Sequence, residues 1–200
     1  MLYVLLAVGL LAALTYYFAQ DSNENYAAQD AIHISEELYA QINMIKAAVV
    51  ECSLEYPNGG PYVGGVSENS NNPFPINPSS ANVTQEVAGC TATSNAPNCI
   101  AAFGNDDVSN LSCPGAGIGY EMLFSGANNQ GRYLPPMPAG FTDWFYGNDA
   151  TGVYITTTTT APSDPASIDA LDRLMGKFTS TQAVHATGST SFKVWIKNDS

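Results

Sequence analysis

Two histidines, His33 and His185, are the first residues to consider as catalytic bases in this 200-residue chain. A Ser-His-Asp hydrolase needs one histidine that is positioned by an acid and contacts a nucleophile. Neither histidine is accompanied by a GxSxG or comparable nucleophile turn, and the two lie on different predicted elements. We therefore predict no catalytic residues and no enzyme activity, and we expect both histidines to be polar surface residues.

Acidic and amide side chains occur in stretches that could supply oxygen ligands to a calcium ion. One stretch is Asn105-Asp106-Asp107, and Asp143 and Asp149 are separate candidates. None of them has the ligand spacing of an EF-hand loop. Because Asp and Asn favour turns on their own account, we predict solvated turn residues here, with no metal site and no cofactor.

Four cysteines, Cys52, Cys90, Cys99 and Cys113, show no CxxC or other metal-binding spacing. An even number behind an apolar N-terminus is typical of two disulfides formed in an oxidising compartment, with buried free thiols as the alternative. Three pairings are possible. Proximity along the chain favours Cys90–Cys99 as a local loop closure and Cys52–Cys113 as a link between the first helix and the head.

The charge of the chain excludes one class of partner. The sequence contains 18 Asp and Glu against 6 Lys and Arg, which gives a formal net charge of −12. Proteins that bind nucleic acids neutralise phosphates with cations that this chain lacks. We predict no nucleic-acid partner.

The N-terminal stretch, residues 1–19, reads MLYVLLAVGLLAALTYYFA, with no charged residue and no proline. A helix of this length and composition is just long enough to cross a bilayer, so it needs burial in a membrane or in a filament core. No Lys or Arg precedes Lys46, whereas a secretory signal begins with positive charge. We expect that a short basic leader was removed before Met1; insertion by another route is the alternative.

The apolar pattern continues beyond residue 19 as a stripe on one face of an amphipathic helix over residues 20–55. The stripe recurs at steps of three and four: Ile34, Leu38, Ile42, Ile45, Val49 and Cys52. The opposite face is polar and includes Gln29 and Gln41. Since no proline occurs before Pro57, we predict one helix over residues 1–55, a rod of about 80 Å at 1.5 Å per residue, whose second half packs on a head.

After Cys52 the composition changes to Gly, Pro, Asn and Ser, which predicts an irregular region over residues 56–117, tied down by the disulfides, with a short helix or turn near 100–103. The remaining residues, 118–200, are predicted to form a β-rich head. Its strand-like runs, rich in β-branched and aromatic residues, are 118–124, 143–148, 152–160 and 190–198.

One helix is predicted between the last two strands of the head. Asp164 is its expected N-cap and Pro165 its first residue, and the apolar pattern extends to Phe178. The predicted fold class is therefore α+β: a long N-terminal helix followed by an antiparallel sheet of about four strands and one short helix.

This layout resembles the type IV pilin and pseudopilin family, and within it the type IVb group. The resemblance covers the organisation of the whole chain rather than one sharp motif. It is carried by the apolar start MLYVLLAVGLLAAL, by the helix end that runs into LEYPNGG, and by the cysteines that bracket the head. The chain departs from the family at Leu5, where members usually carry a glutamate, and at Ser22, near which a helix-breaking proline is usual.

The resemblance implies a structural subunit of an extracellular pilus-like filament at the cell surface, with roles such as adhesion, motility or DNA uptake. Family members lose a basic leader to a prepilin peptidase, reside in the inner membrane, and are polymerised by the pilus assembly machinery into homo-oligomeric helical filaments. The alternative is a monomeric, membrane-anchored extracytoplasmic binding domain. Under the first reading the assembly helix comprises these residues: Met1, Leu2, Tyr3, Val4, Leu5, Leu6, Val8, Leu10, Leu11, Leu14, Tyr17 and Phe18.

Overall fold

The computed structural model has an α+β fold, with one very long helix and one antiparallel sheet. It describes residues 2–55, with their side chains from residue 28 onward, and residues 57, 74–75, 107–111, 113, 123–124, 132–149 and 151–198. In chain order the elements are α1 Leu2–Glu55, a 3-10 helix Val108–Asn110, β1 Phe145–Asp149, β2 Gly152–Thr158, α2 Pro165–Met175, β3 Ala183–Val184 and β4 Ser191–Asn198.

The four strands form one sheet in the order β1-β2-β4-β3, and every neighbouring pair is antiparallel. In the β1–β2 hairpin Phe145 lies opposite Thr156 and Asp149 lies opposite Gly152. The turn is closed by the backbone N–H of Thr151, which donates to Asp149 Oδ1 at 2.8 Å. Side chains alternate between the two faces with period two, so one face of the sheet is apolar and available for packing.

That face packs against the second half of α1. Leu38, Ile42, Ile45 and Val49 have no exposed surface and share one core with the sheet, while Ile34 is partly buried at its margin. The buried positions that the structure describes on α1 run from Ala31 to Cys52. The helix therefore supplies the central element of the core.

The α2 helix packs beside α1 and begins where the sequence predicts. The backbone N–H of Ser167 donates to Asp164 Oδ2 at 3.0 Å, so Asp164 is the N-cap, and Pro165 is the first residue of the helix. The helix ends at Met175, three residues earlier than the apolar pattern suggests. Phe178 nonetheless packs against the core and lies edge-on to Tyr39 of α1, with ring centroids 5.6 Å apart.

Three of the predicted strands are observed, and the sheet contains one strand that was not predicted. The predicted runs 152–160 and 190–198 contain β2 and β4, and the run 143–148 covers β1 except for its last residue, Asp149. Of the run 118–124 only Leu123 and Phe124 are among the described residues, and Phe124 forms a single parallel bridge with Arg132. The sequence did not predict β3, because a two-residue strand has no recognisable periodicity.

Most of the predicted irregular region, including residues 100–103, lies outside the described residues. The described part includes the 3-10 helix, which the sequence did not predict. It also includes Pro75, whose carbonyl is held by the sheet. The Pro75 carbonyl oxygen accepts hydrogen bonds from Tyr146 Oη at 2.7 Å and from Asn148 Nδ2 at 2.9 Å. Two buried side chains of β1 thus fix the chain at residues 74–75 to the sheet.

Candidate functional site

The candidate site is built around Gln41, a buried glutamine of α1. Gln41 is only 3% exposed. Its Oε1 accepts a hydrogen bond from Trp144 Nε1 at 2.8 Å, and its Nε2 donates to the Pro136 carbonyl oxygen at 3.0 Å. One side chain therefore joins the helix, the residue before β1 and the proline-rich segment 134–138.

The prediction that Gln41 lies on the polar face of α1 is wrong. The residue follows Leu38 by three positions and precedes Ile45 by four, which places it on the buried stripe. Trp144 is 1% exposed, and a buried indole N–H needs an acceptor. Gln41 lies at the spacing of the apolar stripe, and the chain also contains a tryptophan whose buried N–H needs an acceptor. These two features together are the signal that could have identified the contact.

Beside this contact lies a half-open cavity of about 180 Å³. Its apolar lining includes Phe124, Leu134, Met137 and Trp144, and its polar lining is Asp107, Ser109 and Asp143. Phe124 and Trp144 belong to the hydrophobic core, with 0% and 1% of their surface exposed. The segment Leu134–Met137 also lines the cavity. The Gln41 side chain holds this segment by donating a hydrogen bond to the Pro136 carbonyl oxygen.

The two carboxylates reach this cavity because the 3-10 helix pairs with the segment before β1. The backbone N–H of Val108 donates to the Trp144 carbonyl at 2.8 Å, and Asp107 forms an antiparallel bridge with Phe145. Asp107 also caps the 3-10 helix, since its Oδ1 accepts from Ser109 N at 2.9 Å. The local pairing thus places Asp107 and Asp143 on the lining of the same cavity.

The calcium candidates of the sequence are only partly brought together. Asp107 and Asp143 share the cavity, Asn105 and Asp106 lie outside the described residues, and Asp149 is in the β1–β2 hairpin turn. Burial acts to raise the pKa of Asp149, but hydrogen bonds from Thr151 and Tyr154 outweigh it and hold that pKa below its usual range. In the described part of the chain no three His, Cys, Asp or Glu residues are grouped to hold a metal ion.

The histidines occupy two different environments. The His33 side chain is 75% exposed on α1, with Nδ1 3.6 Å from Glu37 Oε1, so it is a surface residue as predicted. The same prediction is wrong for His185, whose side chain is 1% exposed. Its Nε2 lies 2.8 Å from Asp172 Oδ1 and its Nδ1 lies 2.7 Å from the Ser191 carbonyl oxygen.

The His185–Asp172 pair has the acid that a catalytic triad requires but not the geometry. In a triad one ring nitrogen faces the acid and the other faces the nucleophile. Here the second nitrogen faces a backbone carbonyl, which only accepts hydrogen bonds. The pair instead fixes the β3–β4 connection to α2, and Gly188 N donates a second hydrogen bond to Asp172 Oδ1 at 3.1 Å.

The outer face of the sheet carries an aromatic pair from two strands, Tyr154 of β2 and Trp195 of β4. The ring centroids of Tyr154 and Trp195 are 5.2 Å apart in an edge-to-face arrangement, and Lys193 Nζ lies 3.4 Å and 3.9 Å from them. Burial lowers the pKa of Lys193, and the Asp149 charge partly offsets this effect. Gly147 lies opposite Tyr154 and leaves room for its ring.

Cys52 of α1 and Cys113 form a disulfide, with a Cα–Cα distance of 5.7 Å. The two cysteines are separated by 61 positions in the sequence. Cys90 and Cys99 lie outside the described residues. So does Met1, and the side chains of the predicted assembly helix are likewise not described. Among the residues whose side chains the structure describes, from residue 28 onward, no helix is both long enough and apolar enough to cross a membrane.

The described residues therefore combine a long helix, a docked head and a cavity beside Trp144 with carboxylates in its lining. The second ring nitrogen of His185, the buried histidine, lies against a backbone carbonyl. Comparison with known proteins finds no family model, no curated protein and no solved structure that matches this chain.

Proposed function

We propose that this chain is a structural subunit of an extracellular, pilus-like filament. The observation that carries the proposal is the division of α1, a single helix from Leu2 to Glu55. Its described buried positions, Ala31 to Cys52, pack on the head. Its first part carries the uncharged apolar sequence of residues 2–19.

Length supports this division of labour. A helix of 54 residues is about 80 Å long at 1.5 Å per residue. A compact domain made from the remaining residues has a radius of gyration of about 15 Å, so such a domain cannot cover the whole helix. Burial of the apolar segment must come from a membrane or from other copies of the chain.

The energetics favour association through this segment. Packing one such helix among its neighbours would remove on the order of 1,000 Å² of apolar surface from contact with water, worth tens of kcal/mol gross at about 25 cal/mol per Å². The cost of ordering the subunits reduces this gain without eliminating it. Polymerisation of this kind requires no cofactor and no catalytic residue.

The proposed sequence of events begins in the inner membrane. The apolar segment is held in the bilayer until the pilus assembly machinery, after cleavage by a prepilin peptidase, transfers the subunit to the filament. The heads then form the filament surface outside the cell. Leu5 replaces the usual glutamate, so the N-terminal amine in this filament needs an acceptor other than an acid at that position.

Imaging of surface material tests the proposal. Material sheared from cells that produce the chain is labelled with antibodies against the head and viewed by negative-stain electron microscopy. Labelled filaments are the expected result. Recovery of the chain only as a membrane-embedded monomer would favour the anchored binding domain and contradict the proposal.

A further inference from the structure

Lys46 is the one Lys or Arg of α1, and it is the only such residue among the first 131 of the chain. The same helix carries seven Asp and Glu. None of the ion pairs that the described residues form includes Lys46. The residues three and four positions away on the helix are also uncharged: Ile42, Asn43, Val49 and Val50. The described part of the chain therefore offers this cation no acidic partner.

The Lys46 ammonium lies at the margin of the head, where water reaches it only in part. Its Nζ is 5.2 Å from the centroid of the Phe178 ring, and the residue is partly buried. Burial lowers the pKa of Lys46. A partly desolvated cation gains more from a carboxylate than a fully exposed one does, because the effective dielectric constant around it is lower. This position thus favours an acid that another molecule supplies.

Two acids in the first half of α1 have the complementary requirement. Asp21 and Glu24 directly follow the apolar segment, and no Lys or Arg precedes Lys46. They are three positions apart on one helix, a spacing at which like charges repel. When apolar segments of several copies pack together, the acids next to them lose water and need a cation. Only another copy of the chain can bring Lys46 to them, because all three residues lie on one rigid helix.

We propose that Lys46 of one copy forms an ion pair with Asp21 or Glu24 of the next copy along the filament, and that this pair sets the axial displacement between the two subunits. Lys46 follows Glu24 by 22 positions and Asp21 by 25 positions in α1. The pair therefore requires parallel helices displaced by about 33–38 Å, at 1.5 Å per residue. This inference rests on the proposed filament function and names the contact that orders its subunits.

The height of the head supports this displacement. The described buried positions of α1 run from Ala31 to Cys52, a span of about 32 Å along the helix axis. A displacement of about 33–38 Å is one such span, so successive heads would stack along the axis without overlap. The charges and the length of the packed helix thus lead independently to the same offset.

Zero-length cross-linking of the unmodified chain tests the pair. A carbodiimide joins a lysine amine to a carboxylate when the two groups are in contact. Sheared filaments and detergent-solubilised subunits are treated in parallel, and linked peptides are identified by mass spectrometry. Filaments are expected to give a peptide that joins Lys46 to Asp21 or Glu24, and solubilised subunits to lack it. Such a link must connect two copies, because these positions are about 33–38 Å apart in one helix.

The ion pair between Lys177 and Glu36, with Nζ 2.6 Å from Oε1 in one head, is the internal control and should be linked in both samples. Filaments in which this control is linked while Lys46 is unlinked, or is joined only to other acids, would overturn the inference and leave the filament proposal standing. The absence of filaments would contradict the filament proposal and the inference with it.

Charge reversal gives a second readout, the yield of sheared filaments. Lys46→Glu places like charges at the contact and should lower the yield about tenfold or more. Asp21→Asn with Glu24→Gln removes this repulsion, so in the Lys46→Glu background it should restore the yield to within about threefold of the wild type. Lys197→Glu, the same change at an exposed position of β4, should leave the yield unchanged. Equal yields from Lys46→Glu and Lys197→Glu, or no recovery on neutralising the acids, would overturn the inference.

Discussion

The indole nitrogen of Trp144 donates a 2.8 Å hydrogen bond to the side-chain oxygen of Gln41, a residue 103 positions earlier in the chain. This contact joins the long helix to the residue that precedes β1. It is shielded from water because both residues are almost fully buried. The same glutamine also holds the Pro136 carbonyl. Four of the following predictions test the contacts that build the head.

Replacement of Gln41 by leucine should lower the free energy of unfolding by about 1–3 kcal/mol. The change leaves the buried Trp144 N–H without a partner, and such a group costs about 1–3 kcal/mol. The measurement is guanidinium unfolding of the full chain in non-ionic detergent. Gln29→Leu, the same change at an exposed position of α1, should stay within about 0.5 kcal/mol of the wild type. Equal effects of the two variants would contradict the assigned contact.

Alanine at position 147 should destabilise the sheet through Tyr154. A Cβ at Gly147 would overlap the Tyr154 ring and come within 2.7 Å of its hydroxyl oxygen, and overpacking of this kind costs about 1–3 kcal/mol. In a Tyr154→Ala background the clash is absent, so Gly147→Ala should be neutral or slightly stabilising there. Additive effects in this double-mutant cycle would show that the ring does not lie over Gly147.

The N-cap of α2 should confer a pH-dependent part of the stability. The Ser167 hydroxyl, which donates to Asp164, holds the pKa of Asp164 below its usual range. The folded pKa is thus lower than the unfolded one, so the stabilisation is complete above the unfolded value of about 3.9 and is lost as pH falls through the folded value. Asp164→Ala should cost about 1 kcal/mol at pH 7, and this cost should shrink below about pH 4.

Asp164→Asn provides the matched control for this effect. Asparagine caps helices about as well as aspartate but does not titrate, so its stability at pH 7 should be close to that of the wild type. The difference between Asn and Ala variants should be independent of pH between about 3 and 7. A cost of Asp164→Ala that stays constant to pH 2 would argue against the carboxylate as the capping group.

Loss of the Cys52–Cys113 disulfide should lower the free energy of unfolding by about 4 kcal/mol, because the bond closes a loop of 61 residues in the unfolded chain. The double variant Cys52→Ala, Cys113→Ala is compared with the oxidised wild type. A non-reducing peptide map should show the two cysteines in one linked peptide. Linkage of either cysteine to Cys90 or Cys99 would contradict the pairing in the structure.

The sequence predicted those elements whose signals are local. The stripe from Leu38 to Val49 and the Asp164 cap depend on spacing within one helix, and both lie where they were expected. Gln41 was misplaced because a polarity pattern alone assigns any glutamine to solvent, whereas its partner Trp144 lies far away in the chain. His185 was misplaced for the same reason, since Asp172 and the Ser191 carbonyl make its burial possible.

The cavity was even less accessible from the sequence. Asp107 and Asp143 were separate candidates for turn residues, and only the pairing of the 3-10 helix with the segment before β1 brings them together. That pairing involves short, non-periodic segments, for which the sequence holds no repeating signal. Prediction from sequence was therefore successful for the helices and most strands, and it did not reach the site.

The most direct test of the filament account is cross-linking through α1 in living cells. A photoreactive amino acid replaces Leu10, in the apolar segment, or Leu54, which is 75% exposed at the far end of the helix. After illumination, sheared surface material carrying the Leu10 probe should give a ladder of covalent multimers of this chain, while the Leu54 probe serves as the control for contacts outside the filament core. A Leu10 probe that yields only monomer, confined to the membrane fraction, would contradict the account.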